Sequence, residues 1–388
     1  MISIFYELDE RQQETELVLN GAPTMFSRLF MLATVGMHRP ATMQSSPLLR
    51  SAQRALRRTS IVQMPEGPEV TVHAEQLNRM CSGHRLCAAR ILSGRYVGDG
   101  EVPGRSAPPA GWNVLLNALP ATIASVHSHG KFLWWQLTGV RQQQLTLWST
   151  LGMTGAWSTV PSAHARVVMT LEHGGEIWRL FYNDQRNFGV LTVGTEPAAL
   201  EDKLASLGPS WLASGGLGLE EFLAVVHKQT ARPRGARVAV AKFLMDQSKT
   251  AGIGNYILSE TLYLARVHPW ALCADLDDDA WAEVHAAAND VIQRSYTAQA
   301  QLASAAARTA AEPTEAAEDP CQRQGDRTTP TPVRRLAPTR GTTFAFRLYV
   351  YRQMRSEDGH AVLRGDGPHG RSIFWVPERQ TRGLSAPS

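Results

Sequence analysis

The segment Met64-Pro65-Glu66-Gly67-Pro68-Glu69 contains the residue types of an amine nucleophile and an acid–base partner. If Pro65 were the first residue, its nitrogen would be a secondary amine able to attack an electrophilic carbon and form an iminium, as lysine amines do in Schiff-base enzymes. Glu66 would then be the adjacent general acid or base. Inside the 388-residue chain the Pro65 nitrogen is a tertiary amide whose lone pair is delocalised, so it cannot attack. The segment is otherwise an ordinary helix start with acids near its positive end.

The residues that follow predict the elements that position this segment. Apolar or amphipathic residues at 70, 73, 77 and 80 have helical spacing, so 69–80 is predicted to be a helix. Short runs rich in Val, Leu, Trp and Thr, broken by Gly and Pro, predict strands between 88 and 195. The pattern is helical from 197 to 298, and alternation at 344–380 predicts a β-hairpin.

The first 63 residues differ in composition from the rest. Residues 25–63 contain six Arg, many Ser and no acid, which is typical of an organelle transit peptide. Residues 1–24 contain five acids, which a transit peptide lacks, so a sequence upstream of a later start at Met64 is the alternative. The predicted organisation is an extension (1–63), a catalytic domain (64–196), a helical domain (197–299), a disordered insertion (300–342), and a hairpin with a tail (343–388).

The overall composition excludes several classes of protein. With 43% hydrophobic and 19% charged residues, the chain can bury a core and is not disordered as a whole. No run of 18 apolar residues is present, so no membrane segment is predicted. The net charge of +4 weakly favours an anionic partner. The four cysteines contain no CxxC pair, so neither a disulfide framework nor a zinc module is predicted: Cys81, Cys87, Cys273 and Cys321.

Six motifs occur in one order along residues 64–380, and together they resemble the Fpg/Nei family of bifunctional DNA glycosylases. The resemblance implies an α+β multidomain fold. Its N-terminal β-sandwich begins with a helix, and a helix–two-turn–helix domain follows and ends in a β-hairpin finger. The motifs are MPEGPE at 64–69, HGKFL at 129–133, LGMTG at 151–155, DQRNFG at 184–189, FLMDQ with AGIGNY and SE between 243 and 260, and GRSIFW at 370–375.

The resemblance implies four catalytic residues. Pro65 would attack C1′ of a nucleotide flipped out of the duplex, and Glu66 would donate a proton to help open the sugar and release the base. Lys131 would contact the flanking phosphate and assist elimination. Arg371, at the hairpin turn, would hold a phosphate near the lesion, for which a guanidinium suits better than an ammonium.

The resemblance also implies residues that bind DNA. Met153 and Phe188 would fill the space left by the flipped base, and Arg186 would face its orphaned partner; both apolar residues could instead belong to a core. The glycines of Gly252-Ile253-Gly254 would let a helix N-terminus approach a phosphate, with a side-chain donor from the next residue. The remaining candidates for phosphate contacts are His164, Arg237 and Asn255. A lone strand histidine such as His164 could equally be structural.

The sequence departs from the family at the finger. Residues 343–388 contain no cysteine, and His360 with His369 cannot complete a four-ligand zinc site. The finger is therefore predicted to be zincless, and no metal or cofactor is expected. Fpg-type members of the family carry a long loop between the helical domain and the finger that caps 8-oxoguanine, and the 300–342 insertion differs from it in character. The resemblance therefore favours oxidised pyrimidines, ring-fragmented purines and hydantoins as substrates. Outside the finger, Glu260 of the SE pair in the fifth motif could orient the N-terminal amine or could instead cap a helix.

The predicted function is a base-excision-repair enzyme that hydrolyses N-glycosyl bonds and cleaves apurinic or apyrimidinic sites by β,δ-elimination. The alternative is a non-catalytic damaged-DNA-binding protein in which the extension blocks Pro65. The expected partner is double-stranded DNA with oxidised or abasic lesions, bound by a monomer with no membrane contact. The nucleus or the mitochondrion is the expected location, because both are reducing and contain DNA.

Overall fold

The computed structural model describes residues 65–98, 107–213, 215–311 and 346–384, which lie in one compact unit, Thr59–Ser388. The predicted extension at 1–63 therefore lies outside the described residues. Within the described part of the chain, no helix combines the length and the apolar composition needed to cross a bilayer.

The first helix confirms the predicted one and is slightly longer. Helix α1 spans Gly67–Cys81, and Pro68 lies in its first turn, where a missing N–H costs nothing. The Glu69 carboxylate accepts the Glu66 backbone N–H at 3.0 Å, as in a capping box. Its buried apolar face consists of Val70, Ala74, Leu77 and Cys81.

An eight-stranded antiparallel sheet follows and forms the predicted β-sandwich. The strand order is β5-β7-β6-β1-β2-β3-β4-β8, and α2 (Trp112–Asn117) lies between β1 and β2 in the chain. The alternation of buried and exposed residues, seen clearly in β2 and β4, gives these strands one core face. The strands are β1 (Arg85–Ile91), β2 (Ala121–His129), β3 (Phe132–Thr138), β4 (Gln144–Thr150), β5 (Gly155–Ser158), β6 (Ala165–His173), β7 (Glu176–Asp184) and β8 (Val190–Gly194).

Strand β1 joins the two halves of the sheet, because it pairs with β2 through only its first two residues and with β6 along its whole length. The two halves enclose one hydrophobic core. Trp135 of β3 meets Trp157 of β5 edge to face at 5.4 Å, and the Trp157 indole N–H donates to Ser149 Oγ of β4. These contacts fix the β2–β3 turn and the loops after β4 and β7, which carry candidate site residues.

The helical domain has its own core, to which the hairpin contributes. Its last helix continues to Ala311, so the prediction that disorder begins at residue 300 is wrong for 300–311. The Ala-rich sequence is a strong helix former, and Ala303 is still buried. Residues 312–342 lie outside the described residues. The helices are α3 (Pro197–Ala205), α4 (Leu219–Thr230), α5 (Pro233–Ala236), α6 (Val240–Met245), α7 (Asn255–Leu264) and α8 (Asp278–Ala311).

The terminal hairpin is shorter than predicted. Strands β9 (Leu363–Asp366) and β10 (Ser372–Trp375) pair antiparallel, whereas 346–362 is mostly irregular rather than a strand. The prediction of a hairpin over 344–380 is therefore correct only for its centre. Ile373 and Phe374 pack into the helical core, which attaches the hairpin to that domain.

Candidate active site

A cavity of about 940 Å³ lies where the start of α1, the β-sandwich loops, the start of α7 and the hairpin meet. All four residues predicted to be catalytic line it: Pro65, Glu66, Lys131 and Arg371. The cavity therefore brings together residues that lie far apart in the sequence.

The Glu66 carboxylate is buried against the N-terminus of α7. It accepts backbone N–H groups of Gly254 at 2.8 Å, Tyr256 at 2.9 Å and Ile257 at 3.2 Å. A Cβ atom at residue 254 would overlap this carboxylate, so glycine is required there. Burial is the main cause that raises the pKa of Glu66 to about 7, while the positive charge of Lys131 opposes the rise. Near neutral pH, Glu66 can therefore hold or release a proton.

A second carboxylate supports the first turn of α1. Glu69 accepts the Tyr256 hydroxyl at 2.9 Å and the Ser295 hydroxyl at 2.9 Å. Burial is the main cause that raises the pKa of Glu69, and these hydrogen bonds oppose the rise. Helix α1 is thus tied to both α7 and α8.

Lys131 follows the tight turn between β2 and β3. Gly130 has φ +56° and packs on Ala251 and Gly252 so closely that a Cβ atom would collide with both. Burial lowers the pKa of Lys131, the Glu66 carboxylate opposes this shift, and Arg371 adds to it. Among the described residues, Lys131 has no ion-pair partner within 4.0 Å. Its ammonium is therefore available to a ligand in the cavity.

Asn255 connects the start of α7 to the hairpin. Its side-chain amide donates to the Ser372 carbonyl at 2.8 Å, and its amide oxygen lies 3.0 Å from Nε2 of His369. These contacts hold the turn that presents the exposed Arg371 to the cavity. The sequence did not predict the contact between Asn255 and the hairpin. Asn255 also lines the cavity, and its contact with a DNA phosphate stays a prediction.

Two loops of the β-sandwich carry the predicted space-filling residues. The buried Asp184 joins them by accepting the Thr154 hydroxyl and the Gly189 N–H. Met153 and Phe188 both line the cavity, and Phe188 is 57% exposed, so neither is a core residue.

Arg186 lies on the second of these loops and is exposed. Its N–H donates to Thr154 Oγ1 at 2.9 Å, and its guanidinium lies 3.2 Å from Met153 Sδ. The three residues predicted to replace stacking are therefore adjacent in space.

The other two predicted DNA-binding residues lie outside the cavity lining. His164 is exposed in the turn before β6 rather than within a strand, and Arg237 is exposed just after α5. Their contacts with DNA remain predictions.

Glu260 differs from both roles that the sequence suggested. Its buried carboxylate accepts the backbone N–H groups of Tyr349 at 2.6 Å, Val350 at 2.9 Å and Tyr351 at 2.7 Å. It therefore neither orients the Pro65 nitrogen nor caps a helix. Burial raises the pKa of Glu260, and the three N–H groups oppose this rise. This contact holds the segment before the hairpin against α7.

Sequence reasoning missed several residues of the site. Asp184 is the acid of the DQRNFG motif, but a short motif does not show which two loops its carboxylate connects. Three further residues that line the cavity belong to none of the six motifs, so nothing in the sequence pointed to them: Tyr351, Arg352 and Arg364.

Comparisons with known proteins identify the family. Residues 64–191 match the formamidopyrimidine-DNA glycosylase N-terminal domain, and residues 219–306 match the H2TH domain of the same family. The formamidopyrimidine-DNA glycosylase of Corynebacterium jeikeium is 31% identical over 229 residues, which cover 53% of this chain and 70% of that protein. The chain belongs to the formamidopyrimidine-DNA glycosylase family.

Solved structures of this family have the same fold. The MutM (Fpg) protein of Thermus thermophilus superposes with a TM-score of 0.58 at 22% identity, covering 82% of this chain and all of that one. The formamidopyrimidine-DNA glycosylase of Lactococcus lactis, non-covalently bound to DNA containing an AP site, gives 0.57 at 18% identity and covers 81% and 99%. The predicted α+β architecture of a β-sandwich and a helix–two-turn–helix domain is confirmed, whereas the zincless finger stays a prediction.

Proposed function

We propose that this chain is a base-excision-repair DNA glycosylase that also cleaves abasic sites, with Pro65 as its nucleophile. One observation carries the proposal: Pro65, Glu66, Lys131 and Arg371 line the same cavity. The pKa of Glu66 is about 7, so an acid stands beside the proline at neutral pH. Lys131 and Arg371 have no ion-pair partner among the described residues and would attract DNA phosphates.

Each residue then has a chemical role. The neutral Pro65 amine forms a bond to C1′ as the glycosidic bond breaks, and the departing base takes a proton from Glu66. The proton lost from the proline nitrogen passes to O4′, the C1′–O4′ bond breaks, and the nitrogen lone pair makes C1′ an iminium. Loss of a proton from C2′ expels the 3′ phosphate, and a second elimination expels the 5′ phosphate. Lys131 and Arg371 stabilise the phosphates that leave.

The proposed partner is double-stranded DNA that contains an oxidised or abasic nucleotide. A relative in Lactococcus lactis has been solved bound to DNA containing an AP site, which supports this class of partner. The exposed Phe188, beside Met153 and Arg186, supports it as well, because apolar wedges replace stacking where a base is flipped. Oxidised pyrimidines, ring-fragmented purines and hydantoins are the proposed lesions.

The active species is proposed to begin at Pro65, after initiation at Met64 and removal of that methionine, or after cleavage. The family match begins at residue 64, which supports this position. Within the described part of the chain, the cores of the β-sandwich and of the helical domain consist of residues from Val70 onward, and a chain that begins at Met64 contains all of these residues.

Borohydride trapping tests the nucleophile directly, because reduction of the iminium links protein and DNA covalently. We would place a specific protease site directly before Pro65 in the 388-residue chain. Duplexes containing dihydrouracil or an abasic site would be trapped before and after cleavage, and intact mass would define the N-terminus. We expect cross-linking only after cleavage. Cross-linking by protein that retains residues 1–63 would refute Pro65 as the nucleophile.

A non-catalytic damaged-DNA-binding protein is the second candidate, because a retained extension would block the Pro65 nitrogen. In that case both forms would bind lesion DNA selectively, and neither would cross-link. The same proposal includes domain boundaries at residues 64, 197 and 343, a zincless finger, a monomeric state and a nuclear or mitochondrial location. Light scattering and imaging of the tagged full chain would test the last two.

A further inference from the structure

Arg352 has an unusual backbone conformation at the edge of the active-site cavity. Its φ is +60°, in the left-handed region that favours glycine over residues with a Cβ atom. Its exposed side chain nevertheless lines the cavity. Unfavourable backbone conformations of this kind persist where the surrounding structure imposes them, and they concentrate at ligand sites.

The surrounding structure does impose this one. The three residues directly before Arg352 donate their backbone N–H groups to the buried Glu260 carboxylate at distances of 2.6, 2.9 and 2.7 Å. Glu260 lies on α7, and the N-terminus of α7 holds the Glu66 carboxylate. One helix therefore fixes both the proposed acid and the position of Arg352.

The Arg352 guanidinium lies against the ring of Tyr351, 5.4 Å from its centroid. Tyr351 is buried and also lines the cavity, and its ring meets Phe374 edge to face at 5.1 Å. No described carboxylate forms an ion pair with Arg352. This part of the cavity thus combines an aromatic wall with a guanidinium that no described carboxylate neutralises, and a planar base suits that combination better than a phosphate does.

We propose that Arg352 recognises the flipped base by donating hydrogen bonds to its carbonyl oxygens. This inference rests on the proposed function and names the residue that selects the substrate. Dihydrouracil and the hydantoins carry two carbonyl groups on one ring, and the guanidinium offers several donors in a fixed plane. Lys131 and Arg371 remain for the phosphates.

The test compares Arg352→Gly and Arg352→Lys with the unaltered chain, each beginning at Met64. Glycine tolerates φ +60°, so the first variant is expected to fold with unchanged or higher Tm. Single-turnover excision of dihydrouracil and cleavage of an abasic site are measured in the same duplex sequence. The phosphates are the same in both substrates, and only the base differs. Arg355→Ala is the matched control, because Arg355 is exposed on the same segment and does not line the cavity.

We expect Arg352→Gly to slow excision of dihydrouracil about tenfold or more and to leave abasic-site cleavage within about twofold, with the lysine variant intermediate. Equal losses on both substrates would show a phosphate contact and overturn the proposal, as would no loss on either. If the unaltered chain fails to cross-link to abasic DNA, the proposed function itself fails and the inference fails with it. A loss confined to the base-containing substrate supports both.

Discussion

Raising the pH above 7 should slow base excision more than it slows cleavage at an abasic site. The reason is the buried Glu66, whose pKa of about 7 makes it an acid near neutrality. Excision needs its proton for the leaving base, whereas an abasic site has no base to protonate. The protonated fraction falls from about one half at pH 7 to about 0.01 at pH 9, so excision should lose about 50-fold through this group.

The ratio of the two rates isolates this effect. Both reactions require the neutral Pro65 amine, so the titration of that amine cancels in the ratio. Single-turnover rates on dihydrouracil and abasic duplexes, measured between about pH 5 and 9, should give a ratio that is level below about pH 6 and falls about tenfold per unit above about pH 7.5. Substitution Glu66→Gln should lower excision by about 10²–10⁴ and make the ratio independent of pH. Glu75→Gln is the control, because Glu75 lies on the same helix outside the cavity lining.

Two results would refute the reasoning. A ratio that stays constant from about pH 7 to 9 would show that Glu66 does not supply the proton. If the rate ratio of Glu66→Gln depended on pH in the same way as that of the unaltered chain, another group would be responsible for the titration. Thermal melts at each pH would exclude unfolding as the cause of any loss.

Three further predictions follow from the same contacts. Gly254→Ala should displace the Glu66 carboxylate, lower the free energy of unfolding by about 2–4 kcal/mol and slow excision at least about 100-fold. Gly218→Ala is the control, because a Cβ atom there meets open space, and it should change neither stability nor excision. Chemical denaturation measures the stability, and single-turnover assays measure the excision rate. Asp184→Ala should leave the Gly189 N–H and the Thr154 hydroxyl without their acceptor, cost about 1–3 kcal/mol and weaken lesion binding more than the cleavage rate, which titration binding and kinetics would separate. The folded-state pKa of Glu66 is raised, so its stabilising effect is complete below pH 4.5 and is lost as the pH rises through about 7. Urea unfolding should therefore show that Glu66 contributes about 2.5 kcal/mol less stability at pH 8 than at pH 5, and the pH dependence in Glu66→Gln should be smaller by that amount.

Local patterns in the sequence predicted most of the elements and brought out the candidate catalytic residues. Helical spacing after Pro68 predicted α1, and alternation predicted the strands, because both depend on which face of an element is buried. The motif order placed Pro65, Lys131 and Arg371, and all three line the cavity. The missing cysteines argued against a zinc site because a structural site needs four ligands.

Only the tertiary structure decided what the buried polar groups contact. Glu66 and Tyr256 are 190 residues apart in the chain, and no local pattern shows that the carboxylate of one accepts the N–H of the other. The same holds for Glu260, which neither suggested role described correctly, and for Asn255, whose side chain meets the hairpin. A buried charge must find donors wherever the fold brings backbone N–H groups. The motifs and the family that they resemble therefore indicated which residues could act, whereas packing between distant segments determined their partners and their pKa values.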